Sequence, residues 1–256
     1  THSTTTRQAL PESRNVVLIT GGTSRKDSNA TRHSAEIFLP NFPPCILPEL
    51  PVQYYGHTLD RGMLCGGYRY NTQKNCRQWS PKEGIFPEKP VHEFQPGRFQ
   101  HVSWTPVSEK ETFLIGGGSS TGAQNSSTIV KPGHVVGSWG FYLNRTYAAC
   151  SIPDPETDTV IITGGNYASP ARKITALYNE DGFVERLGDL NYQRSFHGCT
   201  SYFADKKRVT NYCVSKNFFN CSRKIFLVTG GSYSVTTEIL EENKWKVLPN
   251  GNIVPG

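Results

Sequence analysis

Methionine occurs once in this chain of 256 residues, and no stretch approaches the eighteen or so consecutive apolar residues of a membrane-spanning helix. No helical span is expected. No leader with a charged head, an apolar middle and a small-residue cleavage site is visible, so a secreted form would carry Thr1 as a processed end. Two hydrolytic signatures are missing as well: a serine on a Gly-x-Ser-x-Gly turn, and a zinc helix reading His-Glu-x-x-His. Apolar residues make up only 36%, whereas glycine reaches 24 and proline 17, a balance that favours many short strands and turns. The length suits one large domain over residues 1–256.

What is present is a repeat. An apolar strand runs into paired glycines five times: Val16 to Thr20 into Gly21-Gly22, Met63-Leu64-Cys65 into Gly66-Gly67, and Thr112 to Ile115 into Gly116-Gly117-Gly118. Val160 to Thr163 then leads into Gly164-Gly165, and Ile225 to Thr229 into Gly230-Gly231. The first glycines stand 45, 50, 48 and 66 residues apart, a period that marks a repeat architecture. Apolar strands without alternation suit burial on both faces, and the glycines suit a place where backbones crowd or φ turns positive. Ahead of each pair comes an Arg or Gly followed by His, as in Gly56-His57, Arg98 to His101 and Arg194 to His197, with Arg145 to Ala148 as the copy lacking His. Behind it come a strand with an aromatic residue and a Leu-Pro-type exit, as at Lys244 to Pro249. Four short strands per period make one blade of a β-propeller, and one such unit cannot cover its own apolar surface without neighbours.

The pattern resembles the kelch repeat, in which a four-stranded blade carries a double glycine after its second strand and an aromatic farther on. Trp79, Tyr178 and Trp245 fit the downstream landmarks, and Phe38 stands in for them in the first copy. The expected fold is thus all-β, a kelch-type β-propeller with five recognisable blades near 1–51, 52–96, 97–143, 144–191 and 192–256. Propellers of this family generally have six or seven blades, which implies a small ring or a last blade outside this sequence. Galactose-oxidase-like copper enzymes are built on kelch-like propellers, but need a tyrosine joined to a cysteine and further His ligands. The Ser-x-Asp-x-Gly-x-Thr-Trp turn of sialidase propellers does not occur. His57, His101, His197 and His2 recur at one position and, with Arg98, Arg145 and Arg194, read as packing and hydrogen-bonding elements. Neutral imidazoles without carboxylates are a poor metal site, so neither cofactor nor catalysis is expected.

Seven cysteines and four glycosylation sequons bear on compartment. The sequons start at Asn29, Asn125, Asn144 and Asn220, all in expected loops. Cys65 and Cys76 flank one expected hairpin, and Cys213 and Cys221 another. Cys150 and Cys199 each lie five residues after Arg145 and Arg194, hence at equivalent places on adjacent first strands. These three pairs are the expected disulfides, which leaves Cys45 free, paired beyond this sequence, or joining two chains. An extracellular, secreted glycoprotein follows.

The fifth repeat breaks the period: 33 residues separate His197 from Gly230, against 9 and 15 for His57 and His101. The inserted basic loop, about 204–222, holds Lys206, Lys207, Arg208, Tyr212, Lys216, Phe218 and Phe219, and Arg223 and Lys224 follow it. Loops of that length in a compact domain tend to be functional. The Gly/Ser/Thr-rich run 116–127 is no phosphate cradle, because no Lys-Ser/Thr and no helical pattern follows it, and its composition implies flexibility. In an antiparallel blade, the loops that follow strands two and four share one face, so Asn29, Asn125 and Asn144 fall there while the insertion and Asn220 fall opposite. The insertion face is then the more available surface, with Lys206, Lys207, Arg208, Tyr212, Phe218 and Phe219 as candidate contacts. The expected function is a non-catalytic binding or scaffolding module for a protein partner, with carbohydrate or polyanionic-glycan binding as the alternative. Net charge of +6 makes acidic partners attractive, and its scatter outside the insertion argues against nucleic acid.

Overall fold

The computed structural model describes residues 17–20, 34–38, 45–50, 55–60, 62–69, 71–80, 84–85, 92–107, 111–124, 126–131, 134–137, 147–166, 171–204 and 223–249. Among them there is no α-helix, only a 3-10 turn at Ala171–Lys173. The rest of the regular structure is antiparallel sheet.

Sheet one contains Val17–Thr20, Ala35–Phe38 and Cys45–Leu47. Sheet two contains Thr58–Asp60, Met63–Cys65 and Asn75–Ser80, and its fourth position is split between Gly84–Ile85 and His92–Glu93. Sheet three runs Val102–Trp104, Thr112–Ile115, Ser127–Lys131 and His134–Gly137. Sheet four runs Cys150–Asp154, Thr159–Thr163, Thr175–Asn179 and Gly182–Arg186. Sheet five runs Gly198–Ala204, Arg223–Thr229, Thr237–Glu241 and Lys244–Val247. In sheets three to five the strands lie side by side in sequence order, each joined to the next as a hairpin. First strands of consecutive sheets, from sheet two to sheet five, are neighbours.

The second strand of each repeat is apolar without alternation because both its faces are covered. Phe113 and Ile115 pack with Val160 and Ile162 of sheet four, while Leu114, pointing the other way, packs with Met63 and Cys65 of sheet two. Ile161 likewise turns from its neighbours toward Val228 and Trp245 of sheet five. On sheet one, Ala35 and Leu47 meet Leu64 and Trp79 of sheet two. Each interface between sheets is thus a small core of its own, and the repeats stabilise one another in series.

Among the described residues there are two disulfides. Cys65 and Cys76 face each other directly across strands two and three of sheet two, with a Cα separation of 4.1 Å. Cys150 and Cys199 join sheets four and five across a Cα separation of 6.1 Å, within bridging reach. Their places are not equivalent, however. Cys150 stands opposite Thr163, the residue before the glycine pair, whereas Cys199 stands opposite Val228, one residue earlier than the matching Thr229. The run 116–127 also departs from expectation: Gly118–Ser119 and Gly122–Ala123 form a small hairpin, held further by Gln124 Nε2 donating to Ser119 Oγ at 2.6 Å. Local side-chain hydrogen bonds order a stretch whose composition reads as flexible.

Candidate functional site

The end of the sheets where the glycine pairs sit is built around four residues of the same kind. Gly56, Gln100, Ala148 and Phe196 all have positive φ, at 65°, 52°, 55° and 54°. They are chained by backbone hydrogen bonds from sheet to sheet: Gln100 N donates to Gly56 O at 2.5 Å, Ala148 N to Gln100 O at 2.8 Å, and Phe196 N to Ala148 O at 3.0 Å. Ala148 comes three residues after Arg145, whereas Gln100 and Phe196 come two after Arg98 and Arg194. The spacing in the fourth repeat is therefore longer by one residue, and Arg145 itself lies outside the described residues. That shift also explains the offset of the Cys150–Cys199 pair.

The glycines are required by contact. A Cβ on Gly66 would lie 2.5 Å from the Arg98 carbonyl oxygen and 2.7 Å from His101 Cε1; on Gly164 it would lie 2.6 Å from Arg194 O and 2.9 Å from His197 Cε1. The second glycine of each pair then donates its N–H to the same carbonyl, Gly67 to Arg98 at 2.7 Å and Gly165 to Arg194 at 2.9 Å. The glycine pair of one sheet is the seat for the lead-in of the next.

The histidines complete that seat. His101 Nε2 is hydrogen-bonded to Thr58 Oγ1 of sheet two at 2.8 Å, and His197 Nε2 to Thr163 Oγ1 of sheet four at 2.7 Å. Burial lowers the pKa of His57 to about 4. Burial, with the Arg98 charge and His57 adding, lowers that of His101 to about 3; burial and Arg194 lower that of His197 to about 4. These imidazoles are neutral struts at neutral pH. No group of three or more His, Cys, Asp or Glu that could hold a metal occurs among the described residues.

Both arginines are buried beneath the same seat. Arg98 donates to the carbonyls of Gly116 and Ser126 at 2.7 and 2.8 Å and to the hydroxyls of Ser126 and Thr128 at 2.9 and 3.0 Å. Burial lowers its pKa to about 10. Arg194 donates to Gly230 O at 2.6 Å, Thr236 Oγ1 at 2.8 Å and the Glu238 carboxylate at 3.0 Å.

Over this frame lies an arc of rings. Tyr55 and Phe99 have centroids 6.3 Å apart, Phe99 and Tyr147 6.4 Å, and Tyr68 stands 5.4 Å from both Tyr55 and Phe99. Asn166 Nδ2 donates to the Tyr147 hydroxyl at 3.0 Å. The arc becomes exposed over sheets four and five, where Phe196 is 54% and Tyr233 47% accessible and the Arg172 guanidinium stacks 4.5 Å above the Tyr233 ring. A non-glycine residue at positive φ carries a steric cost, and a bulky one held there with its ring in water is a feature of functional surfaces. Sequence reasoning missed these rings, although an aromatic at Tyr55, Phe99, Tyr147 and Phe196, beside the lead-ins of the second to fifth repeats, was the available signal.

Of the residues singled out from sequence, Lys206, Lys207, Arg208, Tyr212, Cys213, Phe218, Phe219 and Cys221 lie outside the described residues, as do Asn29, Asn125, Asn144 and Asn220. Cys45 begins the third strand of sheet one, and its side chain is not described. Lys224, just past the insertion, is ion-paired with Asp154 of sheet four. Burial alone would raise the Asp154 pKa, but the Lys224 hydrogen bond and charge outweigh it and the carboxyl is held below its ordinary value.

No protein-family model and no curated protein sequence matches this chain. Among solved structures, that of YjhT, a protein of β-propeller-type fold, is similar over 91% of this chain and 80% of its own, with a TM-score of 0.62 at 12% identity. At that identity the likeness concerns the fold alone.

Proposed function

We propose that this chain is a kelch-type β-propeller module of the extracellular space that binds a protein partner and carries out no chemistry of its own. The blades are the five sheets, with boundaries near those of the repeats. Two disulfides are compatible with an oxidising compartment, and four sequons favour the same reading. The recurrent histidines and arginines, the usual reagents of a site, are occupied in holding sheets together.

The observation that carries the proposal is the pair of exposed rings Phe196 and Tyr233 at the glycine end of sheet five, the second of them stacked under the Arg172 guanidinium. Aromatic and Arg side chains of this kind dominate protein interfaces. Of the three sequons expected on this face, those at Asn29 and Asn125 belong to the loops of sheets one and three and the one at Asn144 precedes the lead-in of sheet four, so the patch over sheet five is the part of the face farthest from the expected glycans. The basic insertion supplies a second contact region on the opposite face.

The test is a binding screen of the glycosylated protein against arrays of secreted proteins and of glycans, alongside F196A/Y233A and K206A/K207A/R208A variants. Capture of a protein ligand that the F196A/Y233A pair abolishes is the expected result. Binding confined to glycans makes the module a lectin, and copper-dependent oxidation of an alcohol by the purified protein overturns the non-catalytic reading.

A further inference from the structure

At the end of the first strands away from the glycine pairs, sheets two, three and four border a cavity of about 210 Å³. Sheet three supplies Trp104 and Thr105 where its first strand ends, and Val107 just beyond. Sheet four supplies Pro153, Pro155 and Asp158 from its first strand and the turn that follows, and sheet two supplies Asp60, the last residue of its first strand. The walls are largely apolar and firm. Trp104 is packed in the core between sheets three and four, and each proline ring fixes its own φ. Val107 stands at the open side and is 57% exposed.

Among the described residues that line the cavity, only Asp60 and Asp158 carry charge. Each is fixed across a junction between sheets. Thr105 Oγ1 donates to Asp60 Oδ2 at 2.9 Å, joining sheets two and three, and Val107 N donates to Asp158 Oδ1 at 2.6 Å, joining sheets three and four. Asp158 has φ of 51°, a conformation that aspartate adopts more readily than most residues. A carboxylate has about four acceptor sites, so one that is held in place by a hydrogen bond can still receive a cation. Two anions thus flank an apolar cavity on a chain whose net charge is +6. At about 210 Å³ the cavity falls below the roughly 300–1,000 Å³ of sites that enclose a whole small molecule, which suits it to a single side chain.

We infer that this cavity receives a lysine side chain of a partner protein. The methylene stem lies against Trp104 and the prolines, and the ammonium, a compact charge with three donors, is shared by Asp60 and Asp158. Arginine fits less well, because its planar fork matches one carboxylate rather than two held by different sheets. The site is separate from the rings at Phe196, which precede the other end of a first strand, so either contact can be lost without the other.

The experiment titrates isotope-labelled protein, residues 1–256, with the peptide acetyl-Gly-Lys-Gly-amide and follows the backbone amides of Thr105 and Val107 by NMR. Peptides with norleucine, acetyl-lysine or arginine in place of lysine are compared. Saturable shifts at both amides are expected, with half-saturation on the order of 1–10 mM, the range for so few atoms. Norleucine and acetyl-lysine, which lack the charge, should bind about tenfold more weakly or not at all, the worth of a charged hydrogen bond. Asp60→Asn with Asp158→Asn keeps an acceptor for Thr105 and for Val107, tolerates the positive φ and removes both charges, so it should abolish the lysine response. No saturable shift with the lysine peptide, an equal response to norleucine, a stronger response to arginine, or an unchanged response in the folded double variant each overturns the inference. A response that emerges only in K206A/K207A/R208A would assign the cavity to the chain's own cations and overturns it too. Should the double variant fail to fold, the comparison of lysine with norleucine and acetyl-lysine on the unaltered protein decides.

Discussion

Arg194 gives both Nε and Nη2 to one carboxylate oxygen of Glu238, at 3.1 and 3.0 Å, with both side chains wholly out of water. Register puts Thr128 at the same place in sheet three, so Arg98 has four neutral acceptors and no carboxylate. The two seats are alike in shape and unlike in charge. Thr128→Glu should therefore stabilise the fold by about 1–3 kcal/mol at pH 7, the worth of a charged hydrogen bond. Glu238→Ala should cost about 3 kcal/mol or more, because Arg194 is left buried and uncompensated. Urea midpoints of the two variants check both signs.

Gly164→Ala and Gly230→Ala should behave differently although both glycines have the same backbone. The positive φ costs each about 1–2 kcal/mol. At Gly164 the methyl group also meets Arg194 O at 2.6 Å, which forces sheets four and five apart, whereas at Gly230 nothing among the described residues stands in its way. A larger loss for Gly164→Ala, read from thermal unfolding, is the expected result.

Acid should unfold the protein through its neutral histidines. His57, His101 and His197 have folded pKa values of about 4, 3 and 4, below the ordinary value of 6.5. Unfolding then takes up protons between those limits, so stability is complete above about pH 6.5 and falls as pH drops toward 4. Each histidine contributes a slope of about 1.4 kcal/mol per pH unit. His197→Gln should remove about one proton from the uptake, measured as the pH dependence of urea unfolding.

Loss of the two disulfides should rank by the chain each closes. Cys150 and Cys199 are 49 residues apart and Cys65 and Cys76 are 11, which correspond to about 4 and about 3 kcal/mol in the loop-closure treatment. Paired Cys→Ser variants, compared by denaturant unfolding, test the order.

Phe196→Gly should raise stability while removing a contact. The residue is 54% exposed and its backbone has φ of 54°, so relief of the left-handed conformation, about 1–2 kcal/mol, outweighs loss of the half-buried ring, about 1 kcal/mol. A higher melting temperature together with weaker partner binding would separate the two roles of this position.

The glycine pairs, the two-faced strands and the Cys65–Cys76 hairpin were legible in the chain because they depend on residues close in sequence. The exposed rings were only half legible: an aromatic recurs beside each lead-in, but nothing local distinguishes Tyr147, under its hydrogen bond from Asn166, from Phe196 in water. Spacing alone matched Cys150 with Cys199, and the structure moves that match by one residue. The period of the strands and the places of the glycines were thus set by sequence alone, through backbone sterics and apolar patterning. Tertiary structure decided the alignment between neighbouring sheets, because it depends on which residue adopts positive φ and bonds across to the next sheet. That choice made Ala148 the link in the fourth repeat and left Arg98 without a carboxylate.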